Sequence, residues 1–140
     1  MRYLSTVALA VGIIILGACA ATPEPLTPRA SMEKGITAFE AGDFDAAASL
    51  LRNALDGDPG LVDAYLYLIR TELARGQVSS ALGVGAEAGR ALAGSESARF
   101  AKEAADAIVE HAETLIGQGR LDEAAEALRE SLASTLGNPE

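Results

Sequence analysis

The stretch that decides the fold is residues 41–47, Ala-Gly-Asp-Phe-Asp-Ala-Ala, which recurs twice along the chain. Residues 118–124 read Gln-Gly-Arg-Leu-Asp-Glu-Ala, and residues 75–81 read Arg-Gly-Gln-Val-Ser-Ser-Ala, a more degenerate copy. Each copy has a glycine, a polar residue, an apolar residue, two polar or small residues and then an alanine. Glycine commonly ends a helix, and the residues after it can begin the next one. The sequence therefore predicts three helix–turn–helix units.

The first two turn glycines, Gly42 and Gly76, are 34 residues apart. This period, together with the turns, resembles the tetratricopeptide repeat (TPR), a helix–turn–helix unit that stacks in parallel arrays. The matching small and apolar positions are Gly35, Ala47, Leu51, Ala54 and Pro59 in residues 28–61, and Tyr65, Leu68, Ala81 and Ala88 in residues 62–95. The positions that depart from the family's pattern are Ser31, Lys34, Ala38, Ile69, Gly85 and Ala93.

The third unit is stretched, because Gly76 and Gly119 are 43 residues apart, nine more than the first period. The stretch 96–116 has few helix breakers, so the surplus is interpreted as one long helix rather than a loop. Its positions of the family type are Ile108, Ala112, Leu115, Ala124 and Leu128. The fold class is therefore all-α, a TPR-like array over residues 29–136; the alternative is a generic alanine-rich helical bundle. The six expected helices are 30–41, 44–57, 61–75, 78–93, 96–117 and 121–135.

Two helices carry further patterns. Helix 78–93 contains Gly83, Gly85 and Gly89, which form either a groove for close approach by another helix or a locally weak helix. The last helix carries charged residues that suit the solvated outer face of a terminal repeat. Those charged residues are Asp122, Glu123, Glu126, Arg129 and Glu130.

The resemblance to TPR proteins implies a concave surface lined by the first helix of each repeat. On it, the expected partner-binding residues are Met32, Ile36, Phe39, Leu66, Arg70 and Leu73, and the wider lining adds Arg29, Asp63, Val109, Glu113 and Ile116. Such a surface fits an amphipathic helix or an apolar peptide, with Arg70 as a single anchor for an anion. The carboxylate clamp of some TPR domains is not supported, because Met32, Ile36 and Leu66 occupy its polar positions. The alternative is that this face is covered core.

The N-terminus has the parts of an export signal. Arg2 precedes an apolar segment, residues 4–16, that is too short to cross a bilayer permanently. The sequence Leu-Gly-Ala-Cys at 16–19 resembles the bacterial lipobox, which implies a signal peptide at 1–18 and a lipid-modified Cys19. The proline-rich segment 19–28 is expected to be an extended tether, and 137–140 a C-terminal tail.

The residue after the lipobox cysteine bears on location. It is Ala20 rather than Asp, and in a Gram-negative source the resemblance then implies the outer membrane, with the protein facing the periplasm. Covalent acyl chains would supply the attachment to the membrane.

Composition excludes several function classes. The formal net charge of −9 disfavours nucleic acid as a partner. The single histidine, His111, is expected to be a solvated or packing residue rather than a metal ligand. Because Cys19 is taken up by lipid, no cysteine–histidine pair is available for nucleophilic catalysis. The sequence predicts no enzyme, no metal and no cofactor.

The expected function is that of a membrane-tethered, non-catalytic adaptor that binds a protein partner, in the assembly of a pilus, a secretion channel or outer-membrane machinery. This expectation extends the resemblance to small TPR lipoproteins, and a fold alone does not fix a function. The alternatives are a self-associating structural lipoprotein of the envelope and a carrier of hydrophobic ligands.

Overall fold

The computed structural model describes the chain over residues 26–136, and side chains over residues 26–132. The expected signal peptide 1–18, Cys19, the tether up to residue 25 and the tail 137–140 lie outside the described residues. The described part holds six helices: α1 (Pro28–Glu40), α2 (Phe44–Gly57), α3 (Val62–Ala74), α4 (Val78–Ala91), α5 (Gly94–Gly117) and α6 (Leu121–Leu136). These bounds agree with the sequence-based helices to within two residues.

The starts of the first two helices follow from local capping chemistry. At α1 the Thr27 hydroxyl accepts a hydrogen bond from the Ala30 N–H (3.2 Å), and Pro28 occupies the first turn. Proline suits that position because its missing N–H would have no partner there. At α2 the Asp43 carboxylate accepts from the Ala46 N–H (3.1 Å). The side chains of Thr27 and Asp43, which lie just before the two helices, therefore cap their N-termini.

The three recurring glycines form the same backbone turn. Gly42, Gly76 and Gly119 have φ angles of +79°, +73° and +76°, in the left-handed region that favours glycine. In each turn the residue after the glycine donates its N–H to a carbonyl five residues earlier, at 2.8–2.9 Å. This bond closes the helix C-terminus and reverses the chain. The prediction of three equivalent turns is confirmed.

The helices stack as an array of hairpins. Helix α1 pairs with α2, α3 with α4 and α5 with α6, and each hairpin also packs on the next, through contacts of α2 with α3 and of α4 with α5. The first helices of successive hairpins contact one another as well, α1 with α3 and α3 with α5. The fold is an all-α, TPR-like array, as predicted.

Most positions that matched the family's pattern are buried in the described core. Gly35, in α1, is buried because the array leaves no room there: a Cβ would lie 2.8 Å from Leu51 Cγ. The matching positions that are at most 9% exposed are Ala47, Leu51, Ala54, Tyr65, Leu68, Ala81, Ala88, Ile108, Ala112, Leu115 and Ala124. Two matching positions depart from this set, since Leu128 is 42% exposed and Pro59 is exposed as well.

The surplus residues of the third unit lengthen α5 to 24 residues, as predicted. Its first half belongs to the main core, where Phe100 meets Tyr65 of α3 with ring centroids 6.1 Å apart. Its second half belongs to a separate small cluster of Ala112, Leu115 and Ala124, formed with α6. One helix therefore bridges two cores of different size.

Ion pairs join successive hairpins. Glu72, only 1% exposed, accepts hydrogen bonds from Arg52 of α2 (2.8 Å) and from Arg75 (3.0 Å). Both carboxylate oxygens are thereby satisfied, which offsets the cost of burying the charge. On α5, Arg99 pairs with Asp63 at the start of α3 (2.6 Å).

Three acidic residues of α6 border a cleft beside α4. Glu123, Glu126 and Glu130 line a cleft of about 370 Å³ against the start of α4, where Glu130 accepts a hydrogen bond from Ser79 (3.3 Å). Helix α6 also exposes Leu121, Leu128 and Leu132. The expectation that the charged residues of α6 stay solvated is confirmed for Asp122, Glu123, Glu126 and Arg129, which are exposed, while Glu130 is partly buried.

Candidate functional site

An open cavity of about 540 Å³ lies where the end of α1 and the second halves of α3 and α5, the first helices of the three hairpins, come together. Its floor is apolar and its rim is polar. The lining residues are Phe39, Arg70, Leu73, Ala74, Ala107, Glu110, His111, Thr114, Leu115, Gln118 and Arg120. We call this cavity the concave groove.

One wall of the concave groove is aromatic. Phe39, at the end of α1, meets Tyr67 of α3 edge-to-face, with ring centroids 5.6 Å apart and an interplanar angle of 82°. Phe39 also packs on Phe44 of α2 at 5.7 Å. Three helices thus hold the Phe39 ring in place, and edge-to-face geometry of this kind is favourable for aromatic pairs. The wall is a fixed apolar platform.

The same wall carries a guanidinium group. The Arg70 Cζ lies 5.6 Å from the centroid of the Tyr67 ring, a cation–π distance. Among the described residues Arg70 forms no ion pair with a carboxylate, whereas most arginines of α2–α6 do. Arg29 and Arg90 also form no ion pair among the described residues, but of these three arginines only Arg70 lines the groove. It leaves a positive charge beside an apolar wall.

The opposite wall holds Arg120 and His111. Arg120 pairs with Glu123 (2.5 Å) and donates a hydrogen bond to Gln118 (3.1 Å). Burial lowers the pKa of His111 below its usual value of 6.5, and the nearby charge of Arg120 lowers it further, against a smaller opposing effect of Glu123. The imidazole is therefore neutral at pH 7, and Glu110 is the acidic group of this wall.

The six expected partner-binding residues are placed in three different environments. Phe39, Arg70 and Leu73 line the concave groove, although Leu73 is 3% exposed and forms part of its floor. Met32 and Ile36 are half-buried and pack against the main core. Leu66 is 4% exposed and belongs to that core. Their role in binding a partner stays a prediction.

The sequence-based lining is out of register on α5 and incomplete on α3. Val109 and Ile116 are exposed outside the groove, and Ala107, His111 and Thr114 line it instead. The register differs because the nine surplus residues of α5 break the family's spacing. On α3 the lining includes Ala74, and Tyr67, next to the expected Leu66, contacts the lining residues Phe39 and Arg70. The sequence could have indicated Tyr67, because it lies three residues before Arg70 and so on the same face of α3.

Three further features of the described chain are the glycines of α4, potential metal ligands and helices able to span a membrane. A Cβ added at Gly83, Gly85 or Gly89 would meet no atom within 4 Å, so no described helix packs closely there. Over residues 26–136 no group of three potential ligands could hold a metal ion. None of the described helices combines the length and hydropathy needed to span a membrane.

Comparison with known families agrees with this architecture. A sequence model of the tetratricopeptide repeat family matches residues 38–99, from the end of α1 into the start of α5. No curated protein matches the chain. Tetratricopeptide repeats are protein–protein interaction modules and typically non-catalytic scaffolds. The similarity therefore indicates a protein-interaction role for the array.

Proposed function

We propose that the protein is a non-catalytic adaptor whose concave groove binds an apolar or amphipathic peptide segment that carries a carboxylate. The observation that carries this proposal is Arg70, a guanidinium without a carboxylate partner among the described residues, beside the Phe39–Tyr67 wall. A bound carboxylate would supply the missing ion pair, and an apolar side chain would cover the aromatic wall.

The size of the concave groove suits this mode of recognition. A volume of about 540 Å³ accommodates a few side chains of a peptide rather than a whole domain face. Amphipathic helices bind such grooves through residues spaced three or four apart along one face. Most of the binding free energy in such contacts comes from a few aromatic and arginine residues. Phe39, Tyr67 and Arg70 are of those types.

We further propose that this adaptor lies in the cell envelope. This location is supported by the lipobox-like sequence at 16–19, by the short apolar segment before it and by the proline-rich segment after it. Cys19 would carry the lipid, and in a Gram-negative source Ala20 favours the outer membrane, facing the periplasm. A tethered adaptor there would take part in assembling a pilus, a secretion channel or outer-membrane protein machinery.

The groove is tested by photo-crosslinking in cells. A photoreactive amino acid replaces Ala74, an exposed residue of the groove wall. We expect a crosslinked protein that is lost with Arg70→Glu and kept with the matched control Arg90→Glu on the exposed side of α4. A product that survives Arg70→Glu would contradict the proposed anchor. Co-purifying lipid without any crosslinked protein would favour a carrier of hydrophobic ligands instead.

The anchor is tested separately. Metabolic labelling with a fatty-acid analogue should label the full chain but not Cys19→Ser, and Cys19→Ser should leave the membrane fraction. Labelling that persists in Cys19→Ser would contradict the assignment of Cys19, while leaving the groove proposal untouched.

A further inference from the structure

The last hairpin exposes several large apolar side chains. On α5 these are Val109 (49% exposed) and Ile116 (51%), and on α6 they are Leu121 (61%), Leu128 (42%) and Leu132 (65%). Ala125 of α6 is also exposed. We call these six residues the terminal face.

Helical geometry puts the terminal face on the side of the hairpin that points away from the rest of the array. Each residue rotates the helix by about 100°, so side chains two residues apart lie nearly opposite each other. On α6, Leu121, Leu128 and Leu132 are each two residues from one of the glutamates that face α4. On α5, Val109 and Ile116 are each two residues from Ala107 or Thr114, which border the groove beside α3. A further repeat would stack on this face.

The area of the terminal face is that of an interaction surface. Its large side chains expose on the order of 500 Å², near the upper end for the largest apolar patch of a monomeric protein. Two such faces pressed together, with the residues around them, would bury about 1,200 Å², the lower end for specific protein–protein interfaces. The cluster beneath it is small, since it holds only Ala112, Leu115 and Ala124. The hairpin with the smallest buried cluster therefore also exposes three leucines.

The spacing of the α6 residues is symmetric. Residues 121, 125, 128 and 132 are separated by four, three and four positions, so the stripe reads the same in both directions. In an antiparallel pairing of two copies of α6, Leu121 lies opposite Leu132 of the second copy, and Ala125 lies opposite its Leu128. Each large side chain of the central pair then meets a small one, which lets two helices pack closely.

The charges beside the stripe match the same pairing. Asp122 and Arg129 lie on one flank of α6, where Arg129 contacts Glu126 of its own chain. In the antiparallel arrangement Arg129 comes within two residues, about 3 Å along the helix axis, of Asp122 of the second copy. The acidic residues Glu123 and Glu130 face α4 instead. The net charge of −9 thus does not prevent contact here.

We propose that the terminal face binds a second copy of this chain, with the two α6 helices antiparallel and centred between Glu126 and Ala127. The dimer closes the exposed end of each array and leaves both concave grooves open. It does not depend on what the groove binds.

Sedimentation equilibrium of the full chain in detergent, corrected for bound detergent, tests the pairing. We expect a dimer for the unmodified chain and at least about tenfold weaker association for Leu128→Asp. The control Ala86→Asp, at an exposed position of α4, should associate normally. Because Leu128 is partly exposed, the aspartate variant should stay folded, which circular dichroism verifies. A monomer at every concentration, or a dimer unchanged by Leu128→Asp, overturns the proposal.

A charge exchange tests the register. Arg129→Glu and Asp122→Arg each place like charges opposite one another in a homodimer, so each variant alone should associate weakly. Mixed together with different tags, they should form a heterodimer with both pairs restored. Failure of the mixture to associate better than either variant alone overturns the antiparallel register. The Ala74 crosslink is unaffected by these variants, so failure here is distinguishable from failure of the groove proposal.

Discussion

The hairpins α3–α4 and α5–α6 share the same turn geometry but have very different cores. Both reverse the chain at a left-handed glycine, Gly76 or Gly119, with the same backbone hydrogen bond. Helix α3 then buries nine of its thirteen residues, whereas α6 buries Ala124 and Ala127 among its described side chains. Equal turns therefore do not imply equal packing.

Turn geometry and core packing therefore have separate origins in the sequence. A turn depends on a few neighbouring residues, because only glycine adopts its φ angle at little cost. Packing depends on how much side-chain volume two helices can place between them. Leu68, Ile69 and Tyr65 fill the space inside the main core, while the α5–α6 cluster relies on alanines. The leucines of α6 are on its surface instead.

The largest expected effect comes from the main core. Leu68→Ala removes a fully buried side chain and should lower the free energy of unfolding by about 2–5 kcal/mol. Leu115→Ala, in the small cluster, should cost about 2 kcal/mol, because fewer large side chains surround it. Urea denaturation measures both, with the exposed Leu132→Ala as control. Equal losses at the two sites would contradict the difference in packing between the main core and the α5–α6 cluster.

A second effect compares two helix glycines. Gly35→Ala should destabilise the fold by about 1–3 kcal/mol, because the new Cβ would lie 2.8 Å from Leu51 Cγ. Gly83→Ala should stabilise it by about 0.5–1 kcal/mol, because its Cβ enters open space and alanine favours the helix. Thermal unfolding measures the two opposite shifts. A loss of stability in Gly83→Ala would indicate that α4 is packed against something at that position.

The smallest effect concerns the pH dependence of α5. The pKa of His111 is lowered in the folded chain, so the unfolded chain binds the proton at higher pH. This contribution to stability is present above the unfolded value of 6.5 and is lost as the pH falls through it toward the folded pKa. Melting temperatures between about pH 7.5 and 5.5 should therefore fall more for the unmodified chain than for His111→Gln. Equal falls would contradict the lowered pKa.

The sequence predicted the fold better than the site. The helices and the long α5 followed from Gly42, Gly76 and Gly119 and from the scarcity of helix breakers. Of the six expected binding residues, Phe39, Arg70 and Leu73 line the groove, whereas Leu66 is core and Tyr67, beside it, contacts Phe39. A shift of one residue along a helix turns a side chain by about 100°, and the family's spacing does not fix the register that closely.

By itself the sequence determined the three turns, the six helices and their stacking order, because turn chemistry and helix periodicity are local properties. Only the tertiary structure decided which faces are open. It brought Glu123, Glu126 and Glu130 to a cleft beside the start of α4 and left Leu121, Leu128 and Leu132 exposed. It also left Arg70 without an acidic partner among the described residues. Such outcomes depend on how helices distant in sequence meet, and no local pattern carries that information.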